Sequence, residues 1–256
     1  MFTDAIVRTP GANFDEGLTT VSLGTPSFER VFAQHSQYCQ ALVECGLEVT
    51  TLNADLGFPD STFVEDTAIL TARGAVLTRP GAESREGEVD AIRDAILDFF
   101  PEPLTIEAPG TVDGGDICEA EDHFFIGLSH RTNEEGARQL ARLLASFGYE
   151  SSTIDVRPMT SVLHLKSGIS YIGENTLVVM EEMAENSQFQ DFDIIRVSEE
   201  ESYAANCVRV NGHVLVAAGF PRFTAELRAH GFSPLVLEMS EFQKMDGGLS
   251  CLSLRF

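Results

Sequence analysis

What this 256-residue chain lacks removes whole classes of function. Nowhere do eighteen apolar residues follow one another, so no helix is expected to span a bilayer. Residues 1–10 carry no basic region ahead of an apolar run, the pattern a secretion signal needs. Basic residues are scarce: 17 Lys and Arg stand against 40 Asp and Glu, a formal charge of −23 that repels nucleic acid and anionic lipid. No basic patch offsets it, so nucleic-acid and membrane partners are excluded. Five cysteines (Cys39, Cys45, Cys118, Cys207 and Cys251) make an odd count with no C-x-x-C and no Cys/His pair at zinc spacing. Neither a disulfide framework nor a metal is expected, no cofactor is implied, and a reducing cytoplasm fits best.

What is present suffices for a full core. Hydrophobic residues make up 43% of the chain and mean hydropathy is near zero, so 1–256 is expected to fold as a single domain without staples. Its signals recur in one order: an apolar hairpin, an amphipathic helix, a short strand. Hairpins are expected at 68–78, 117–127, 169–179 and 207–216, the last turning at Asn211-Gly212, a strong two-residue hairpin signal. A fifth pairs 252–256 with 5–8. Helices follow at 27–45, 83–99, 133–147, weakly at 181–187, and at 222–230; strands come next at 47–52, 104–107, 153–156, 193–197 and 234–238. The polar residues entering the hairpins, Asp66, Asp113, His164, Asn206 and Cys251, are 47, 51, 42 and 45 residues apart. Such a period predicts an α/β five-bladed ββαβ propeller with pseudo-fivefold symmetry, whose equivalent loops converge on one axis.

Chemistry concentrates in those loops. Asp246-Gly-Gly-Leu-Ser-Cys251 sets a thiol on a Gly-rich turn, Val112 to Asp116 supplies an acid at Asp113 or Asp116, and Leu163-His-Leu-Lys166 supplies a proton carrier. Together they suggest thiolate attack on a cationic carbon. Glu65 and Asp66 are adjacent, and two carboxylates at a propeller centre call for a cation between them. The acidic surface could concentrate such a cation, although solubility explains it as well.

At Phe63-Val-Glu-Asp66, Arg79 to Arg85, Gly110 to Asp116, Leu163 to Lys166 and Asp246 to Cys251 the chain resembles the dimethylarginine dimethylaminohydrolase family, in order and over nearly its whole length. That family belongs to the guanidino-group-modifying pentein superfamily, so the resemblance implies a pentein fold. It implies hydrolysis of dimethyl- and monomethyl-L-arginine to L-citrulline and dimethylamine or methylamine, through an S-alkylthiouronium on Cys251. In that scheme His164 is general acid and base and Asp113, where some members have Glu, is its partner. Glu65 and Asp66 would grip the guanidinium, Arg85 and Arg131 the α-carboxylate, and Asp60 the α-amino group. The Met245 backbone and Asp246 would add contacts, and Leu18 would sit on a lid within 11–25. Any zinc held by Cys251 and His164 would inhibit. The expected partner is a small methylated arginine, and the sequence leaves room for a homodimer. Two alternatives remain: a deiminase, disfavoured by Lys166 where deiminases carry a second acid, and a non-catalytic propeller module.

Overall fold

Five three-stranded sheets stand around one axis in the computed structural model, which describes residues 1–256. Each begins with a hairpin whose second strand is joined, through a helical connection, to a third strand parallel to it. The second blade shows the pattern: β3 (Ala68–Thr71) pairs antiparallel with β4 (Gly74–Leu77), α2 (Glu88–Leu97) crosses over, and β5 (Leu104–Thr105) returns parallel to β4. The third repeats it with β6 (Ile117–Ala120), β7 (His123–Leu128), α3 (Glu134–Ser146) and β8 (Glu150–Asp155). The fourth has β9 (Ile169–Tyr171), β10 (Thr176–Met180) and β11 (Asp193–Val197); the fifth has β12 (Val208–Val210), β13 (His213–Ala217), α4 (Pro221–Ala229) and β14 (Pro234–Leu237). The ends of the chain close the ring. β1 (Asp4–Arg8) pairs antiparallel with β15 (Leu254–Arg255), crosses through α1 (Phe28–Glu44) and runs parallel to β2 (Glu48–Leu52). The expected five-bladed ββαβ pentein propeller is the observed fold.

Middle strands are the most buried because both faces meet neighbours: all five residues of β10 are buried, each Leu or Val contributing about 1.5–3 kcal/mol of burial. Helices bury one stripe. In α1 this is Val31, Gln34, His35, Tyr38, Ala41 and Leu42, at the three- and four-residue spacing of a helix face. The Asn133 side chain caps α3 by accepting from Gly136 N at 2.7 Å. Asn211 takes the left-handed φ of 52° that its turn demands, and its side chain also binds Phe2 N at 2.9 Å and Cys45 O at 2.9 Å. One hairpin tip thus ties the fifth blade to the closing blade.

Local departures from expectation have local causes. Residues 181–187 do not form one helix: a 3-10 turn at Glu181–Met183 and another at Ser187–Phe189 replace it. Asn186 separates them by accepting from Gln188 N at 3.0 Å, an alternative to helical bonding that Asn offers readily. The helix expected from 83 starts only at Glu88, after a separate 3-10 turn at Glu83–Arg85 that carries the Arg85 side chain inward. A short α5 (Ser240–Gln243) was not expected. No helix is long and apolar enough to cross a membrane.

Candidate active site

A 3-10 turn precedes the inner strand of every blade: Val64–Thr67, Gly114–Asp116, Leu165–Ser167, Glu199–Ala205 and Ser250–Leu252. These turns meet on the axis. With about three residues per turn, neighbouring side chains in such a turn point some 120° apart, so each segment sends one residue forward and the next elsewhere. That rule sorts the predicted residues. Cys251, His164, Asp66, Asp60, Arg85, Arg131, Leu18, Met245 and Asp246 all line one pocket of about 40 Å³, and Asp113 stands directly behind His164. Glu65 is the exception. Its Oε1 meets the Lys166 ammonium and its Oε2 accepts from Ser250 Oγ at 2.8 Å, away from the pocket. The turn that carries the two acids thus puts Asp66 on the pocket and Glu65 on Lys166 and Ser250.

Behind the histidine lies a chain of acids. Asp113 Oδ2 is 3.0 Å from His164 Nε2, while Asp113 Oδ1 accepts from Gly81 N at 2.8 Å, so the carboxylate is fixed from both sides. Of the two aspartates that share this loop, Asp113 is the one in contact. Asp116 instead accepts from Ser129 Oγ at 2.6 Å and Leu165 N at 3.0 Å, and so holds the histidine loop without touching its ring. Burial opposes a charge on His164, yet Asp116, the Asp113 bond and Asp66 outweigh it, and the imidazole is pushed up to about 9. The thiol moves the other way in charge. Burial, then the charges of Glu65 and Asp66, push Cys251 up to about 12, against the pull of Gly248 N–H and Lys166. At neutral pH the resting site therefore pairs an imidazolium with an un-ionised thiol.

Asp66 stays charged. Burial disfavours its carboxylate, but Arg85, His164 and the Gly115 N–H hold it below the usual range. Its Oδ2 receives Arg85 Nη1 at 2.5 Å and its Oδ1 receives Gly115 N at 2.8 Å. Asp66, Asp113 and His164 offer ligand atoms within 4.8 Å of one another, but these protein partners already occupy them. The two arginines differ sharply. Arg85 is buried and committed, with Glu88 on Nε at 3.0 Å and on Nη2 at 2.7 Å, and with the Phe63 carbonyl at 3.0 Å. Arg131 lines the pocket with no carboxylate of the protein in ion-pair contact. Only Arg131 is free to receive an anion.

The mouth is tied across. Leu18 N donates to both oxygens of Asp60, at 3.1 and 3.2 Å, and Asp246 Oδ2 receives the Thr20 N–H and, at 3.0 Å, the Thr20 hydroxyl. Asp246 adopts φ 56°, a left-handed conformation that Asp tolerates, and its carboxylate meets Thr20. The next residue is glycine for want of space: a Cβ on Gly247 would stand 2.4 Å from the Phe63 ring. Sequence reasoning missed Glu88 and Ser250. A buried acid three residues after Arg85 was the available signal for the first; nothing in the sequence marked the second.

This constellation has close counterparts. A family model described as arginine deiminase matches residues 57–218. The N(G),N(G)-dimethylarginine dimethylaminohydrolase of Pseudomonas aeruginosa is 46% identical over 257 residues, covering 100% of both chains. A protein of that name from Streptomyces coelicolor is 34% identical over 255 residues, 98% of this chain and 96% of its own. The structure superimposes with a TM-score of 0.97, at 45% identity and full coverage of both chains, on a cysteine-to-serine mutant of the P. aeruginosa enzyme complexed with citrulline.

Proposed function

The chain belongs to the dimethylarginine dimethylaminohydrolase family, and from that premise we propose that it hydrolyses N-omega-methylated L-arginine to L-citrulline and an alkylamine, with Cys251 as nucleophile. The observation that carries this reading is the meeting in one small pocket of Cys251, of His164 backed by Asp113, and of Asp66 held by Arg85. A cysteine protease needs a histidine that takes the thiol proton and rests as an imidazolium beside the thiolate, whereas here burial and the charges of Glu65 and Asp66 keep the thiol un-ionised although the histidine is already protonated. Here the proton must leave when a cation arrives, and the guanidinium is that cation.

The reaction then follows from the groups in place. Asp66, held by Arg85, binds the guanidinium nitrogens and sets the carbon against Cys251 Sγ. Attack gives a tetrahedral adduct; His164 donates its proton to the substituted nitrogen, and dimethylamine leaves a thiouronium on Cys251. The histidine, now neutral and oriented by Asp113, activates water to release citrulline. Arg131 receives the α-carboxylate and Asp60 the α-amino group, each at the pocket mouth. Arg85 orients Asp66 in preference to clamping the carboxylate itself, because its donors are already spent on Asp66, Glu88 and backbone carbonyls. Glu65 acts from behind, paired with Lys166, so of the two adjacent acids only Asp66 is left to accept from guanidinium N–H groups. That favours an alkylated nitrogen over the arginine of a deiminase.

Two expected outcomes test these assignments. Citrulline release assayed on asymmetric dimethylarginine, monomethylarginine, arginine and agmatine should be confined to the two methylated substrates; preference for arginine would make the protein a deiminase. Arg131→Ala should raise KM about 10- to 100-fold with a smaller change in kcat, since it removes a charge-assisted contact worth about 1.5–3 kcal/mol that substrate and transition state share. A single catalytic domain fits a pocket that draws its lining from Leu18 to Cys251, and a reducing cytoplasm fits five free cysteines.

A further inference from the structure

The catalytic pocket is not the largest cavity on the axis. Behind it, a chamber of about 470 Å³ is enclosed by the inner strands β3, β6, β9, β12 and β15 and opens past Met1 and Glu121, at the end away from the lid. Its walls are mostly apolar, with Leu70, Ile117, Phe124, Val208 and Leu254 among them. The two cavities are back to back: Glu65, Lys166 and Ser250 line the chamber, while their neighbours Asp66, His164 and Cys251 line the pocket. The partition is a cluster of side chains. Glu65 joins Lys166 to Ser250, Arg255 Nη2 approaches Glu65 to 3.9 Å, and Arg255 Nε is buried without a partner.

On the reading given above, His164 expels the amine, and His164 lies two residues from Lys166 of this partition. Forward escape is obstructed, because the citrulline moiety is still bonded to Cys251 and fills the mouth under Leu18, Asp60 and Arg131. We propose that the rear chamber is the binding and exit site for the leaving alkylamine, with the Lys166 ammonium as its gate.

The chemistry of the walls supports this. Chain-wide there are only two lysines, Lys166 and Lys244, and one of them stands at the gate. A second carboxylate lines the same chamber as Lys166: Glu119, on β6, which burial pushes up to about 7 against the pull of the Lys166 and Arg255 charges. Swinging from Glu65 toward Glu119, the ammonium trades one acid for another, and the amine N–H takes its place on Glu65, which is never left buried and bare. Expelled as neutral dimethylamine carrying the proton from His164, the product takes up a second proton from solvent, which balances the one that Cys251 gave up when the cation bound. It then rests as a dimethylammonium ion, its methyls against the apolar wall and its two N–H groups toward Glu65 and Glu119.

The test fills the chamber without touching the pocket. Because this inference rests on the proposed activity, citrulline release by the unaltered protein is measured alongside; no turnover there would sink the activity, not the chamber. Glu119→Trp, placing an indole in the lumen, should lower kcat about tenfold on dimethylarginine and clearly less on monomethylarginine, whose amine is smaller. An equal fall on both, or none, overturns the exit. Independently of that variant, dimethylammonium chloride titrated into Cys251→Ser saturated with citrulline should show broadening of its methyl NMR signal. Absence of broadening, or displacement of citrulline by the ion, overturns the binding site.

Discussion

Exchange of Cys251 for serine is expected to lower citrulline release from dimethylarginine by about 10⁴-fold or more while leaving the fold intact. Only one hydrogen bond to the sulfur is at stake for the structure, from Gly248 N at 3.4 Å, and a hydroxyl can accept it as well. The chemical loss is far larger. Serine proteases rescue a hydroxyl with a neutral histidine that takes its proton, and loss of the nucleophile there costs on the order of 10⁶ in kcat. Here the histidine already holds a proton up to about 9, so it cannot act as base in the first step. The serine hydroxyl would have to ionise unaided, and it is a much weaker acid than the thiol it replaces. The check is a citrulline assay with circular dichroism and substrate binding on the same sample. Binding with no turnover is the expected result; turnover within a hundredfold of the unaltered protein would mean that another group attacks.

The propeller was legible because its signals are local and repeated. Turn residues such as Asn211-Gly212 and the alternating strands around them set each hairpin, and the near-even spacing of Asp66, Asp113, His164, Asn206 and Cys251 set the axis. Where the signal was weak the expectation failed, as at 181–187, where Asn186 competes for backbone donors. The site was legible as residue types in order, and less so as directions. Adjacent acids at 65 and 66 look equivalent in a sequence, and only the 3-10 turn separates one that lines the pocket from one that pairs with Lys166. Arg85 and Arg131 look alike too. What distinguishes them is Glu88, three residues beyond Arg85 and buried with it, which leaves Arg131 alone with an open guanidinium. Asn206 occupies the fifth blade's place on the axis but is a latch, donating to Lys166 O at 2.9 Å and accepting from Ser250 N at 3.0 Å. Chambers enclosed by several strands have no linear signature at all.

Binding of a cation that cannot react should lower the Cys251 titration midpoint by about three pH units. The argument is electrostatic. In the resting site two carboxylates, Glu65 and Asp66, and burial itself all disfavour a thiolate, which places the midpoint near 12. A guanidinium at about 4 Å in surroundings of effective dielectric about 20 attracts the thiolate by about 4 kcal/mol, and each pH unit corresponds to about 1.4 kcal/mol. The midpoint should then fall to about 9, raising the thiolate fraction at neutral pH roughly a thousandfold. The probe is methylguanidinium, which brings the charge without the amino-acid end, and the readout is thiolate ultraviolet absorbance with Cys251→Ser subtracted as blank. The direction at His164 is opposite. Its imidazolium is favoured by acids and loses its proton near 9 in the free protein, so both its contribution to stability, complete below about 6.5, and its ability to donate are lost as pH rises through 9. Turnover should therefore decline above about pH 9 even though the thiol ionises more readily there. If methylguanidinium binds and leaves the thiol midpoint where it was, the substrate's charge is not what activates Cys251. A protein base would then have to be found among groups that are, in this pocket, already protonated or already paired.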